Sequence, residues 1–208
     1  SGKCDQFNKS KPYQVLSQAF KPLLEHILSL STAEQEEWQI LFTSELKENT
    51  ALLTEFLPEI SALLNTEHEL PPLPSIEQEV RLKNTLVNFI HLTCNKLSNL
   101  VIFLDDLQWA DQSSLNLLQH LFQQEEKTSV LLLGAYRSNE VSDSHPLTLC
   151  LQEIQGKLGN INQIELGNLK IQDVSKLLQD TLSSSADKVT ELADLSLFKT
   201  IVKLPRYS

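Results

Sequence analysis

The sequence predicts an α/β fold: a parallel sheet with helices on both faces and a helical insertion near the N-terminus. Three observations predict it. Leu100-Val101-Ile102-Phe103-Leu104 and Val130-Leu131-Leu132-Leu133 are uninterrupted apolar runs of strand length, the pattern of strands buried on both faces. Strand and helix patterns alternate from residue 75 to about 182, the order that builds parallel sheets. Residues 8–74 carry helical periodicity and form a block larger than an ordinary strand-to-helix connection.

The elements follow in order. Residues 1–7 read as the end of a strand entering a loop. From Tyr13 to Leu30, Val15, Leu16, Ala19, Phe20, Leu23, Leu24, Ile27 and Leu28 recur at helical spacing, and Pro22 either kinks that helix or splits it. Ser31-Thr32-Ala33-Glu34 is a capping box for a helix over Thr32–Leu46, with Trp38, Leu41 and Phe42 turned inward. A third helical run covers Thr50–Leu64 and breaks at Pro58, and the proline-extended stretch Glu67–Pro74 is a loop. Ser75 caps a long helix ending near Leu97, with the stripe Ile76, Val80, Leu82, Leu86, Val87, Phe89, Ile90 and Leu92. After the first apolar strand, Asp111 through Ser114 cap a helix whose inner face is Leu115, Leu117, Leu118, Leu121 and Phe122. His145-Pro146-Leu147 opens another helix to about Leu158, ended by Gly156 and Gly159 with Asn160. The imperfect alternation of Ile161–Leu166 makes a third strand, and helices follow at Lys170–Leu182 and Ala186–Leu197.

Composition narrows the function classes. A chain of 208 residues buries one good core and has room for one domain and part of another. Its apolar content of 41% lies outside the disordered range. A net charge of −10 argues against a nucleic-acid surface, which needs clustered Lys and Arg. Cys4, Cys94 and Cys150 are far apart and suit buried thiols in a reducing cytosol. His26, His68, His91, His120 and His145 show no ligand spacing. No apolar run approaches the ~18 residues of a membrane span. The absence of methionine predicts an internal fragment or the remnant of a broken reading frame.

The chemistry concentrates where the first apolar run meets Asp105 and Asp106, followed by Leu107-Gln108-Trp109-Ala110-Asp111. Ligands of open parallel sheets sit beyond the carboxyl ends of the strands, where this pair falls. An apolar strand ending in two carboxylates has the form of a Walker B strand in a P-loop nucleotide hydrolase. Magnesium keeps several waters and needs only one or two protein carboxylates beside the phosphates. One Asp then holds the metal shell while its neighbour orients or deprotonates the attacking water. Such an enzyme also needs Gly-x-x-x-x-Gly-Lys-Ser/Thr, whose amides cradle the phosphates. None of Gly2, Gly134, Gly156, Gly159 and Gly167 opens that pattern. Ser1-Gly2-Lys3-Cys4 has the form of its tail, but Cys4 replaces the required hydroxyl, so Lys3 is not read as a phosphate lysine. The fold is therefore a partial P-loop NTPase sheet, and the chain alone is expected neither to bind ATP tightly nor to hydrolyse it. A sheet lacking a central strand also leaves backbone donors and acceptors unpaired.

Gly2-Lys3-Cys4-Asp5-Gln6-Phe7, Pro12-Tyr13, Leu100–Asp111, Leu133–Val141 and His145-Pro146-Leu147 together carry a family resemblance. The chain resembles the AAA/STAND-type ATPase module of multidomain bacterial serine/threonine kinases and hybrid histidine kinases, common in cyanobacteria. The resemblance covers roughly residues 1–195 and is most specific around Asp105 and Arg137. It implies Asp105 as the magnesium carboxylate, largely through water, and Asp106 as the catalytic, water-activating group. It implies Arg137 as the nucleotide sensor, a cation meeting charge on the terminal phosphoryl oxygens. ATP and Mg2+ are the implied ligands of the complete module. Kinase and helical-repeat domains of the same polypeptide are its implied partners, in the cytoplasm, with no nucleic acid and no membrane span. A partial ATPase core is implied over 1–182 and the start of a helical lid over 183–208. The end departs from the family: Lys199-Thr200 is followed by Ile201 to Ser208 instead of x-Gly-Asn-Pro-Phe, so residues 201–208 are assigned no function.

Blander readings compete. An Asp-Asp pair after a strand also suits a turn and helix cap, and the Trp109-Ala110-Asp111 continuation and Arg137 weigh against that. Asp111 reads as a helix N-cap, Trp109 as packing, and Arg137 has a surface salt bridge as its rival role. Glu125 and Glu126 read as solvated helix-end residues. Two other functions stay open: a non-catalytic interaction module descended from an ATPase, and the ATPase module of a transcriptional activator, which requires a helix-turn-helix domain downstream.

Overall fold

Among the described residues of the computed structural model, three parallel strands organise the fold: β1 (Gly2–Lys3), β2 (Leu100–Asp105) and β3 (Val130–Gly134), in the spatial order β1-β2-β3. The structure describes residues 1–6, 12–64, 75–123, 129–158, 161–167, 170–182 and 192–193. The chain divides into two units, Ser1–Ile161 and Asn162–Ser208. The α/β class with a parallel sheet holds. In register, Gly2 and Lys3 lie opposite Leu104 and Asp105, and Leu100–Leu104 lie opposite Val130–Gly134.

Among the described residues, four α-helices precede the long one that leads to β2. They are α1 (Gln14–Ser29), α2 (Thr32–Leu46), α3 (Thr50–Phe56) and α4 (Ser61–Leu64), followed by α5 (Ser75–Leu97). α1 runs through Pro22 unsplit. One lost backbone bond is outweighed there by the buried side chains Val15, Leu16, Phe20, Leu24 and Ile27. The capping box of α2 is present: the Glu34 N–H donates to Ser31 Oγ at 3.4 Å, and the Ser31 N–H donates to the Glu34 carboxylate at 3.0 Å. Pro58 opens a short 3-10 turn that separates α3 from α4. α6 (Gln112–Gln123) follows β2, and α7 (Pro146–Leu158) follows β3 with Pro146 at its first position. α8 (Ile171–Leu182) lies in the second unit. Among the described residues no helix is long and apolar enough to cross a membrane.

The core of the first unit joins α1, α2, α5, α6 and one face of the sheet. At its centre the Phe89 ring meets Phe20 and Phe42, each at 5.2 Å between centroids, and Trp38 stacks on Phe42 at 5.4 Å. Cys4, Cys94 and Cys150 are buried free thiols. β1 approaches α1 closely. A Cβ added at Gly2 would lie 1.9 Å from the Val15 carbonyl oxygen, which is backbone and cannot rotate away. Gly2→Ala is therefore expected to cost roughly 1–3 kcal/mol, as overpacking does. The check is the urea midpoint; an unchanged midpoint contradicts the close approach.

Four expectations need correction. The apolar strands are covered on one face only. Leu100, Ile102 and Leu104 are buried, whereas Val101, Phe103, Leu131 and Leu133 are between 40% and 59% exposed. An apolar run shows what a strand tolerates, not that a helix lies over it, and among the described residues that second face stays open. Residues 161–167 form no strand. They carry no assigned secondary structure and no ladder partner among the described residues, and Ile164 and Leu166 are almost wholly exposed. Val80 drops out of the inner stripe of α5 and is exposed, while Leu86, Val87, Phe89 and Ile90 are buried as expected. Gly156 does not end α7, which runs on to Leu158. The loop at 67–74, the side chain of Ile76, Glu125 and Glu126, Gly159 and Asn160, and residues 201–208 lie outside the described residues, as does the 186–197 helix apart from 192–193.

Candidate functional site

The carboxyl ends of the three strands deliver the charged residues to one place. β2 ends on Asp105, β1 ends on Lys3 opposite it, and Arg137 stands three residues beyond β3. Asp106 follows in the left-handed region at φ 53° and ψ 41°, a conformation that Asp tolerates better than most residues. The turn is pinned from below. The Leu107 N–H donates to the Ala135 carbonyl at 2.9 Å, and the Asp106 N–H donates to Asp105 Oδ1 at 2.9 Å.

Asp106 is buried and multiply partnered. Its Oδ1 accepts from Gln108 Nε2 at 3.2 Å and lies 3.7 Å from Arg137 Nε, and its Oδ2 lies 3.0 Å from Lys3 Nζ. Lys3 Nζ is also 3.5 Å from Asp105 Oδ2. Gln108 bridges two of the groups, because its Oε1 also accepts the Arg137 N–H at 3.3 Å. Arg137 contacts Glu140 at 3.1 Å, and its guanidinium lies 5.5 Å from the Trp109 ring centre. The surface ion pair is thus real, and it coexists with the approach to Asp106. Asp111 makes a cap: its Oδ1 accepts the Ser114 N–H at 2.9 Å and the Tyr13 N–H at 3.4 Å, so it joins α6 to the start of α1.

Burial alone would raise the Asp106 pKa. Hydrogen bonds from Lys3 and Gln108, with the charges of Lys3 and Arg137, outweigh it and hold the carboxyl below its ordinary value. The Lys3 ammonium is raised by its hydrogen bond to Asp106 and then by the charges of Asp106 and Asp105. Burial, with the nearby charges of Asp111, Asp106 and Asp105, pushes the Cys4 thiol up to about 12. The sign for stability follows. A depressed Asp106 stabilises the fold above the ordinary aspartate range, and that contribution disappears as pH falls through the folded-state value. Asp106→Asn is expected to lie below the parent in urea midpoint at neutral pH and to converge with it in acid. A constant gap across pH contradicts the linkage.

Among the described residues no group of three or more His, Cys, Asp or Glu could hold a metal ion. The pair Asp105–Asp106 nonetheless suits a hard cation that keeps its waters, because an ammonium already sits against an oxygen of each carboxylate. The cleft beside it, lined by Lys3, Cys4, Trp109 and Asp111 among others, has a volume of about 20 Å³, room for a water and not a nucleotide. A larger groove of about 390 Å³ is lined by Asn49, Arg81, Asn84 and Asn88 and contains none of these carboxylates. The structure thus brings Asp105, Asp106 and Arg137 together. Sequence reasoning set Lys3 aside and overlooked Gln108; the one available signal was the position of Gln108 two residues after Asp106, within reach of a turn.

Two comparisons with known proteins found matches. The family described as AAA ATPase domain matches residues 1–133, which include β1, β2 and both carboxylates but stop short of Arg137. Over 122 residues, 59% of the chain, the sequence is 37% identical to Hybrid signal transduction histidine kinase G of Dictyostelium discoideum. The chain spans 4% of that relative's length. No solved structure matches the chain. With most of its length matched, this chain belongs to the AAA ATPase domain family.

Proposed function

We propose that the chain is the metal-binding and phosphate-sensing half of an ATPase module that regulates a multidomain signal-transduction kinase. The observation that carries this reading is the convergence of Asp105, Asp106 and Arg137 at the ends of β2 and β3, with Arg137 Nε 3.7 Å from Asp106. Asp105 is the Walker B carboxylate that holds the magnesium shell, largely through water. Bound Mg2+ neutralises charge on the phosphates. Asp106, kept ionised below its ordinary range, accepts from the attacking water and orients it more than it takes its proton. Arg137, half-exposed and lightly held by Glu140, turns to meet the terminal phosphate.

The phosphate cradle comes, in this reading, from a Gly-x-x-x-x-Gly-Lys-Ser/Thr loop encoded before Ser1. The outer side of β3, unpaired among the described residues, and the open apolar face leave room for its strand and helix. Attachment to serine/threonine or histidine kinase domains, helical repeats on the same polypeptide, a STAND subgroup and a cytoplasmic setting belong to the same proposal. The name of the relative supports a signalling role.

Two linked measurements test it. The gene upstream of Ser1 is read for an in-frame loop, and the longer protein carrying it is assayed for magnesium-dependent ATP hydrolysis. Turnover by the longer protein, with none from the 208-residue chain alone, is the expected result. A reading frame without the loop, or a loop-bearing protein that does not bind ATP, overturns it in favour of a non-catalytic interaction module.

A further inference from the structure

Two carboxylates at the end of one strand repel each other unless a cation lies between them. Here the chain supplies that cation. Lys3 Nζ lies 3.0 Å from Asp106 Oδ2 and 3.5 Å from Asp105 Oδ2. The placement follows from register: Lys3 and Asp105 are partners across β1 and β2, so their side chains leave the sheet on the same side. The backbone of β1 is fixed beneath it. The Lys3 N–H donates to Gln18 Oε1 at 3.2 Å, and the Cys4 N–H donates to the Asp105 carbonyl at 3.0 Å. The ammonium end, by contrast, belongs to a side chain that is 66% exposed and free to swing.

We propose that Lys3 is an internal competitor for the divalent cation, offsetting part of the charge of the Asp105–Asp106 pair without metal and moving into solvent when metal arrives. The inference rests on the metal role given to Asp105 above. One atom makes the competition direct. Asp105 Oδ1 is engaged by the Asp106 N–H, so the carboxylate meets a metal shell through Oδ2, the oxygen that Lys3 faces. A divalent ion and an ammonium a few ångströms apart repel even in water, so the two do not share that oxygen. Departure of Lys3 strands nothing, because Asp106 keeps Gln108 and Arg137 as partners. The contact between exposed Lys3 and the part-exposed Asp105 is of the weak, displaceable kind. A lysine in the metal position therefore keeps the site silent at low magnesium without locking it.

The test is a Mn2+ titration of the nitrogen-15-labelled chain, read as paramagnetic broadening of the Asp105 and Asp106 amide signals. Lys3→Met keeps the length of the side chain and removes its charge. It is expected to bind Mn2+ about five-fold more tightly than the parent, the upper end of what an exposed ion pair contributes. Lys3→Arg keeps the charge and is expected to titrate like the parent. Asp105→Asn is expected to abolish the site-specific broadening in both the parent and the Lys3→Met background. If Lys3→Met gains nothing, or Lys3→Arg gains as much, while Asp105→Asn still abolishes broadening, the competitor role is overturned and the metal role stands. If Asp105→Asn changes nothing, or no variant binds Mn2+, the metal role fails and the competitor role falls with it.

Discussion

On the proposed role, Asp106→Asn in a longer protein carrying the phosphate loop is expected to lower ATP turnover by roughly 10²–10⁴ and to leave nucleotide affinity nearly unchanged. Asn preserves the shape of the side chain and still accepts from Gln108 Nε2, which donates at 3.2 Å. What disappears is the negative charge that, in the proposed role, faces the attacking water. The cations facing Asp106 tolerate the change, because the side chains of Lys3 and Arg137 are exposed to solvent and are not left buried without a partner. Single-turnover hydrolysis with a parallel nucleotide-binding titration separates the two effects. A parent-like rate removes Asp106 from the chemistry, and an equal loss of affinity makes it a binding residue instead.

Phe89→Ala produces the largest expected loss of stability, roughly 3–5 kcal/mol. One ring joins three helices. Phe89 of α5 meets Phe20 of α1 and Phe42 of α2, each at 5.2 Å. It is almost completely buried, so truncation leaves a cavity that none of the three helices can close alone. Phe89→Leu refills much of that space and is expected to cost less than half as much. Urea denaturation of both variants checks the prediction. A loss under about 1 kcal/mol for the alanine variant would show that the site collapses without penalty.

Much of the architecture was legible because local signals agreed. Ser31 with Glu34 marked the start of α2, Pro58 marked the break after α3, Pro146 opened α7, and the apolar run ending in Asp105 delimited β2. The open sheet face was not legible, because Val101 and Phe103 are as apolar as Leu100 and Ile102 and only a neighbour decides which are covered. Residues 161–167 show the same limit, since alternation makes a strand only where a partner strand exists. In the site, Asp105, Asp106 and Arg137 were visible as residues at strand ends. Lys3 was not, because its meeting with Asp105 and Asp106 depends on the register between strands about a hundred residues apart. Gln108 was hidden by a short turn that folds its amide back onto the preceding carboxylate.

That amide has one more consequence. Gln108 donates to the Asp106 carboxylate with its nitrogen and accepts the Arg137 backbone N–H with its oxygen. The carboxylate and the first residues after β3 are therefore mechanically geared, and the chain from Arg137 leads straight into the segment that carries α7. Linkage would make the gearing reciprocal: if Arg137 senses phosphate as proposed, a shift of Arg137 would be felt at Asp106 through Gln108, and a shift of Asp106 at Arg137. The carboxylate after β2 and the first residues after β3 thus share a single side-chain amide.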